Sequence, residues 1–290
     1  MKSALTRVAC FAGAAGLLAV LSACGNGGSS TASAPLAKPE QQVTVSAHEY
    51  KLDVRGVRAL RPGFVHLTIR NTGRGEHGLE LIRLKRALTT PALLAAFEGE
   101  KSEAIEALGG AISVPPGKRW EMTARLGAGD YALIDYGENG GKVNFRRGMF
   151  ERFRVAGPPR TDGAPRTVGT LEMRDFAFDM RFPRAFFGRG TVAIPNRGRA
   201  FHEVSLVRIR RGHTQGEVLR LIKEGEGEPP PWASTVELLG VLGPRRTAYV
   251  HVNLRPGRYV ALCLINDPKS GRLHADLGMM RTFDVVKPGA

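Results

Sequence analysis

Alternating apolar and polar positions recur along this chain in two matching series. In the first, Val65, Leu67 and Ile69 alternate with polar residues up to Asn71. In the second, Val192 and Ile194 keep that spacing up to Asn196, with Ala193 and Pro195 blurring it. Side chains of a strand point alternately to its two faces, so a period of two predicts half-buried strands. The same alternation resumes in Leu79-x-Leu81 after His77 and in Val204-x-Leu206 after His202. Upstream, Val45-x-x-x-x-Tyr50-x-Leu52 matches Leu171-x-x-x-x-Phe176-x-Phe178 and predicts the first strand of each series. The offset is roughly 125 residues, longer than a solenoid period and suited to a duplicated domain.

Each series then predicts one helix at the same place. Thr90 caps a run that starts with Pro91, Ala92, Leu93 and Leu94, and Thr214 precedes Gln215 to Leu219. Turns rich in Pro and Gly follow, and then two more strands. The second of these carries Gly129-Asp130-Tyr131 in one copy and Gly257-Arg258-Tyr259 in the other. Both copies close on Gly-Met and a last strand, Phe153-x-Val155 and Phe283-x-Val285. Many short strands with turn signals predict an all-β protein built from two antiparallel sandwiches or barrels. The predicted domains cover 43–157 and 168–287, joined by a linker at 158–167.

The N-terminus changes the picture of where the chain works. Lys2 and Arg7 precede an apolar run from Val8 to Val20, too short to span a bilayer and flanked like a secretory signal. Leu21-Ser22-Ala23-Cys24 resembles the lipobox of bacterial lipoproteins. That resemblance implies removal of residues 1–23, acylation of Cys24, and an extracytoplasmic, membrane-anchored protein on the periplasmic side or the cell surface. Residues 24–42 are rich in Gly, Ser, Ala and Pro and read as a flexible tether. Lys2 and Arg7 are the only charges in the signal, so a net charge of +15 becomes +13. Such an excess suits anionic headgroups or an acidic protein partner. Nucleic acid is a poor fit, because the arginines are scattered along strands rather than gathered on one helix.

Cysteine usage singles out the second series. With Cys10 removed and Cys24 acylated, Cys263 is the sole free thiol, and reads as a reactive thiol, a buried apolar filler or a metal ligand. Asn196-x-Gly198-x-x-x-His202 is followed by Cys263, His274 and Met279. Two imidazoles, a thiolate and a thioether are the donor set of a blue-copper site. At the corresponding places, Asn71-x-Gly73-x-x-x-His77 is followed by Asp135, Asn144 and Met149, a degenerate set with no reason to prefer copper. Each candidate also has a plainer reading: a hydrogen-bonded His202, and a Cys263 and Met279 that pack in the core. Met280 is expected to face the other way and pack there too. Ten residues separate Cys263 from His274, and the turn sequence Asp267-Pro268-Lys269-Ser270-Gly271 within them either returns His274 to the site or holds it away.

The Asn-x-Gly-x-x-x-His opening, the Gly-x-Tyr strand leading to Cys263, and the His-x-x-x-x-Met exit make both halves resemble cupredoxins. Those are Greek-key β-sandwich proteins that hold type 1 copper at one end. The resemblance implies copper in the second half only, bound by His202, Cys263, His274 and Met279. Asn196 would match the family's asparagine that ties the histidine strand to the cysteine loop. It implies an electron-transfer or copper-binding lipoprotein, with copper delivery or a metal-free interaction module as alternatives. Copper enzymes built from such domains need further histidines at the domain junction. His48, His66, His77, His213 and His251 are isolated in sequence, so no enzyme activity is expected.

Overall fold

The structure, a computed structural model, describes residues 41–98, 102–225 and 229–287. The expected signal, Cys24 and the tether up to residue 40 lie outside the described residues. The first strand begins at Gln41, two residues before the expected domain start. Gln41 Oε1 accepts from the Arg61 amide (2.7 Å) and its Nε2 donates to the Arg61 carbonyl (2.9 Å), which fixes this end of the strand.

The first half runs β1 (Gln41–His48), β2 (Lys51–Arg55), β3 (Gly63–Asn71), β4 (His77–Leu84), α1 (Thr90–Phe97), β5 (Ile105–Val114), β6 (Arg119–Leu126) and β7 (Gly129–Asp135). Two short strands, β8 (Glu138–Asn139) and β9 (Lys142–Val143), a 3-10 turn at Asn144–Arg147 and β10 (Phe150–Val155) complete it. The second half repeats the series as β11 (Gly169–Arg174), β12 (Ala177–Arg181), β13 (Arg189–Pro195), β14 (His202–Ile209) and α2 (Gln215–Glu224). It ends with β15 (Ala233–Leu242), β16 (Thr247–Asn253), β17 (Gly257–Leu262), a 3-10 turn at His274–Leu277 and β18 (Met280–Val285).

What the sequence suggested as one opening strand per copy is a hairpin. β1 and β2 pair antiparallel around Glu49-Tyr50, and β11 and β12 around Asp175-Phe176, with Tyr50 and Phe176 at φ 66° and 62°. A bulky residue in that left-handed region is uncommon, and here an aromatic stands there twice.

Two eight-stranded sheets result, in the orders β12-β11-β13-β16-β6-β3-β1-β2 and β10-β7-β4-β5-β15-β14-β17-β18. Each half supplies four neighbouring strands to each sheet, and the chain crosses between sheets after β3, β5 and β6, giving the expected Greek-key sandwich. The inward residues Val45, Ile69, Leu79, Leu133, Ile194, Val204, Leu239 and Val250 belong to one apolar core that spans both halves. Fully burying each such side chain contributes roughly 1.5–3 kcal/mol.

The helices lie on the outer face of the second sheet, which explains why β4 and β14 are buried on both faces. Leu93 and Phe97 of α1 pack on Ile82 and Ile134, and Val218 of α2 packs on Val207 and Val260. The α1 cap is Thr89 rather than Thr90, its side chain accepting from the Ala92 amide. Thr214 caps α2 as expected, in a reciprocal box with Glu217.

From each helix up to and including the Gly-x-Tyr strand the structure has three strands, not two. The additional pair, β5 and β15, carries Gly109-Gly110 and Gly240, which made the segments read as turns. Those glycines serve close approach. A Cβ on Gly109, at φ 92°, would lie 2.8 Å from Leu239 Cδ1, and one on Gly240 would lie 2.6 Å from Glu80 Oε2. β5 and β15 meet at the junction of the halves, where the Trp120 indole donates to the Leu238 carbonyl (2.9 Å) and the Gly243 amide to Ala107 (2.9 Å). In the other sheet β6 pairs with β16 from Met122 to Ala124.

Candidate metal centre

His202 opens β14, Cys263 follows directly on β17, and His274 begins the 3-10 turn before β18. Whether His274 reaches the site is decided by the ten-residue insert, and the insert folds back. Asn266 bridges Leu273, and Asp267 Oδ2 accepts from the Ser270 amide (2.8 Å) and hydroxyl (2.7 Å). The His274 amide then donates to Ile265 (2.8 Å). Around this hairpin, Ala275 N donates to the Cys263 carbonyl (3.0 Å), Met279 N to His274 (2.9 Å) and Cys263 N to Met279 (3.3 Å). One lacing of backbone bonds therefore fixes Cys263, His274 and Met279 relative to one another.

The donor atoms converge. His202 Nδ1 and His274 Nδ1 are 3.1 Å apart, and Cys263 Sγ is 3.5 Å from His274 Nδ1. Among the described residues these three form the one group of His, Cys, Asp or Glu side chains with ligand atoms all within 4.8 Å of one another. All three are buried, as is Met279, whose side chain belongs to the same core. Met280 packs instead among the residues under α2. An ion about 2.0 Å from each nitrogen and about 2.3 Å from the sulfur leaves gaps of this size, and the soft sulfur with two imidazoles suits copper.

The electrostatics agree with a ligand role. Burial lowers the His202 pKa to about 4, against the opposing pull of Asp175, and burial also lowers that of His274. Both rings are thus neutral near pH 7, the form that binds metal. Burial, reinforced by the Glu203 carboxylate, pushes the Cys263 thiol up. A cation at the site reverses that last preference by stabilising the thiolate.

Asn196 does not tie the histidine loop to the cysteine loop. Its amide nitrogen donates to the carbonyls of Ala200 (2.9 Å) and Leu242 (2.8 Å), and its oxygen accepts from Gly198 N (2.9 Å). Asn71 makes the equivalent bonds to Gly75, Val114 and Gly73. Since the half without the copper set keeps this bonding, the asparagine shapes the loop and anchors it to the neighbouring strand. The tie to the cysteine comes from Glu203, which sequence reasoning passed over. Its amide points at Cys263 Sγ (3.5 Å) and its carboxylate accepts from Leu264 N (3.1 Å). The repeat held no signal for it, because Gly78 stands at the matching place.

A second residue missed was Asp175, at the tip of the β11–β12 hairpin. Its Oδ1 accepts from the amides of Arg199 (2.8 Å) and Ala200 (3.1 Å) and lies 3.3 Å from His202 Nε2. Burial works against its ionisation, yet these hydrogen bonds hold its pKa below the usual carboxylate value. Next to it, the Phe176 ring meets the His274 ring edge to face, centroids 5.2 Å apart. An acid–aromatic pair at the same place in both copies, Glu49-Tyr50 and Asp175-Phe176, was the available signal.

In the first half the corresponding side chains also meet, but close on themselves. His77 Nδ1 lies 2.6 Å from Asp135 Oδ2 and 3.5 Å from Asn144 Nδ2, and Asn144 Oδ1 accepts from Asn139 (3.1 Å). Asp135 Oδ1 accepts from Gly137 N (2.9 Å), and Met149 is fully buried.

No protein-family model and no curated protein sequence matches the chain. Among solved structures it is similar to dithionite-reduced auracyanin from Roseiflexus castenholzii, at 14% identity, covering 41% of this chain and 98% of that one with a TM-score of 0.32. It is also similar to a blue copper oxidase from Nitrosomonas europaea, at 12% identity, 83% and 84% coverage and a TM-score of 0.26. A copper-containing nitrite reductase from Thermus scotoductus overlays at 13% identity, 84% and 60% coverage and a TM-score of 0.23. These overlays are loose, and the fold is read from the chain's own strand order and core: two tandem all-β Greek-key sandwiches.

Proposed function

We propose that this protein is an extracytoplasmic, lipid-anchored electron carrier with a type 1 copper site in its second half, where His202, Cys263, His274 and Met279 would hold the metal. The observation that carries this reading is the meeting of two neutral imidazole Nδ1 atoms and a buried thiol at separations that suit one ion. The chemistry supplied by bound copper is a one-electron couple between its two oxidation states. This chain's residues hold the donors still, through β14, the end of β17 and the laced hairpin, so that little rearrangement accompanies the electron.

A carrier fits better than an enzyme. His48 bonds Asp53 and Thr72, His66 bonds Thr123, and His213 bonds Glu217, so none of these rings gathers at a further metal group. Acylated Cys24 would fix the protein to a membrane, and its positive surface suits an acidic redox protein. Among the described residues no helix is long and apolar enough to cross a membrane.

The test is to add Cu(II) to the whole chain without its signal and lipid, beside Cys263→Ser. An intense thiolate-to-copper charge-transfer band, absent from the variant, is expected. Copper lost on dialysis without any band would leave a metal-free envelope module instead.

A further inference from the structure

We infer, on the copper reading just given, that Asp175 is a positioning residue: it holds His202 in the Nε2–H form, leaves Nδ1 bare for the metal, and by its charge favours Cu(II) over Cu(I). The geometry is specific. One oxygen, Oδ1, binds the Arg199 and Ala200 amides and also stands 3.3 Å from the ring nitrogen that points away from Cys263 and His274. An acceptor there calls for a hydrogen on Nε2, and a neutral imidazole has only one to give.

The loop is built to let the carboxylate in. A Cβ on Gly198 would lie 2.4 Å from Asp175 Oδ1 and 2.8 Å from His202 Nε2, so a side chain there would displace both. The first half serves as an internal control. Glu49 occupies the same hairpin tip and accepts from the Arg74 amide and the Gly75 amide (the latter at 2.9 Å), clamping the same loop. There the clamp stops at the backbone, and His77 Nε2 is buried with no hydrogen-bond partner. Clamping the loop therefore does not require touching the ring. Only the half that keeps the copper donors brings its hairpin-tip acid onto the Nε2 of its histidine, for the acid on His77 is Asp135, at Nδ1.

The electronic consequence has a definite sign. An anion accepting from a metal-bound imidazole makes the ring a stronger donor and adds negative charge beside the ion, and both favour the more highly charged Cu(II). Asp175→Asn keeps an oxygen for the two amides and removes the charge. Its reduction potential is expected to rise by about 59 mV, a tenfold change in Cu(II) preference for a one-electron couple, with the charge-transfer band and urea midpoint retained. An unchanged potential with the band intact overturns the electronic role. Nitrogen-15 NMR of the metal-free wild-type chain should show the His202 ring protonated on Nε2, and protonation on Nδ1 overturns the positioning role. Because the ring measurement needs no copper, a missing band would sink the electron-carrier reading while the ring still decides the placement.

Discussion

Asp135 and His77 are joined by a hydrogen bond of 2.6 Å, with both side chains wholly buried. The acid that stands in place of Cys263 has turned a would-be ligand into the partner of a structural pair. Removing one member of such a pair leaves the other buried without its partner, at a cost of about 3 kcal/mol. Asp135→Ala should therefore lower the unfolding free energy by that amount, read as a lower urea midpoint, while the copper band of the second half stays unchanged. Loss of the band in this variant would mean that the first half takes part in binding.

Glu203 holds the cysteine from two sides, through its own amide and through Leu264. Glu203→Ala frees the Leu264 amide and loosens the chain next to Cys263. Copper affinity is expected to fall about 10–100-fold, the usual penalty for losing a group that orients a ligand. Competition with a chelator reads the affinity, and wild-type affinity would count against this role.

Gly198 and Gly73 hold matching positions with different neighbours. A Cβ on Gly198 meets the Asp175 carboxylate and backbone and the His202 ring, whereas one on Gly73 meets only the flexible end of Glu49, at 2.8 Å. Gly198→Ala should weaken copper binding and cost about 1–3 kcal/mol, and Gly73→Ala should be milder and leave the band alone. Equal effects on the band would contradict this.

Three acids held above their ordinary pKa, Glu80, Glu203 and Glu237, give the metal-free chain an unusual pH response. Burial, then the charges of Glu203 and Glu76, raise Glu237 from 4.5 to about 8, and burial raises Glu203 to about 7. Above the ordinary value the folded chain keeps protons that the unfolded chain has released, so stability falls as pH rises toward 8. His202, depressed to about 4, acts in the opposite sense only below its ordinary 6.5. The urea midpoint should thus drop between about pH 6.5 and 8.5, and Glu237→Gln should remove part of that drop, on the order of 1–3 kcal/mol. A midpoint that climbs across this range would rule the account out.

Much of the site was legible because its donors sit at repeated places. Comparing Cys263 with Asp135, and His274 with Asn144, separated the two halves by side-chain chemistry alone. The Thr214 cap and the period of two before Asn71 and Asn196 likewise act over a few residues. Glu203 and Asp175 were not legible, since their roles depend on Leu264 and on the His202 ring, brought to them only by the fold. Asn196 misled for the opposite reason: its motif was clear, but the same bonds around Asn71 show that it builds a loop. β5 and β15 were hidden by glycines that read as turns and in fact admit a neighbouring strand.

Those two strands have a further consequence. A bare sheet edge offers unpaired backbone groups to any other chain. Separated between the halves, each would expose two edges, β5 and β6 or β15 and β16, beyond the outer edges it already has. Within one chain the neighbour is covalently supplied and arrives once. The first half thus covers the second within one molecule, β5 against β15 and β6 against β16.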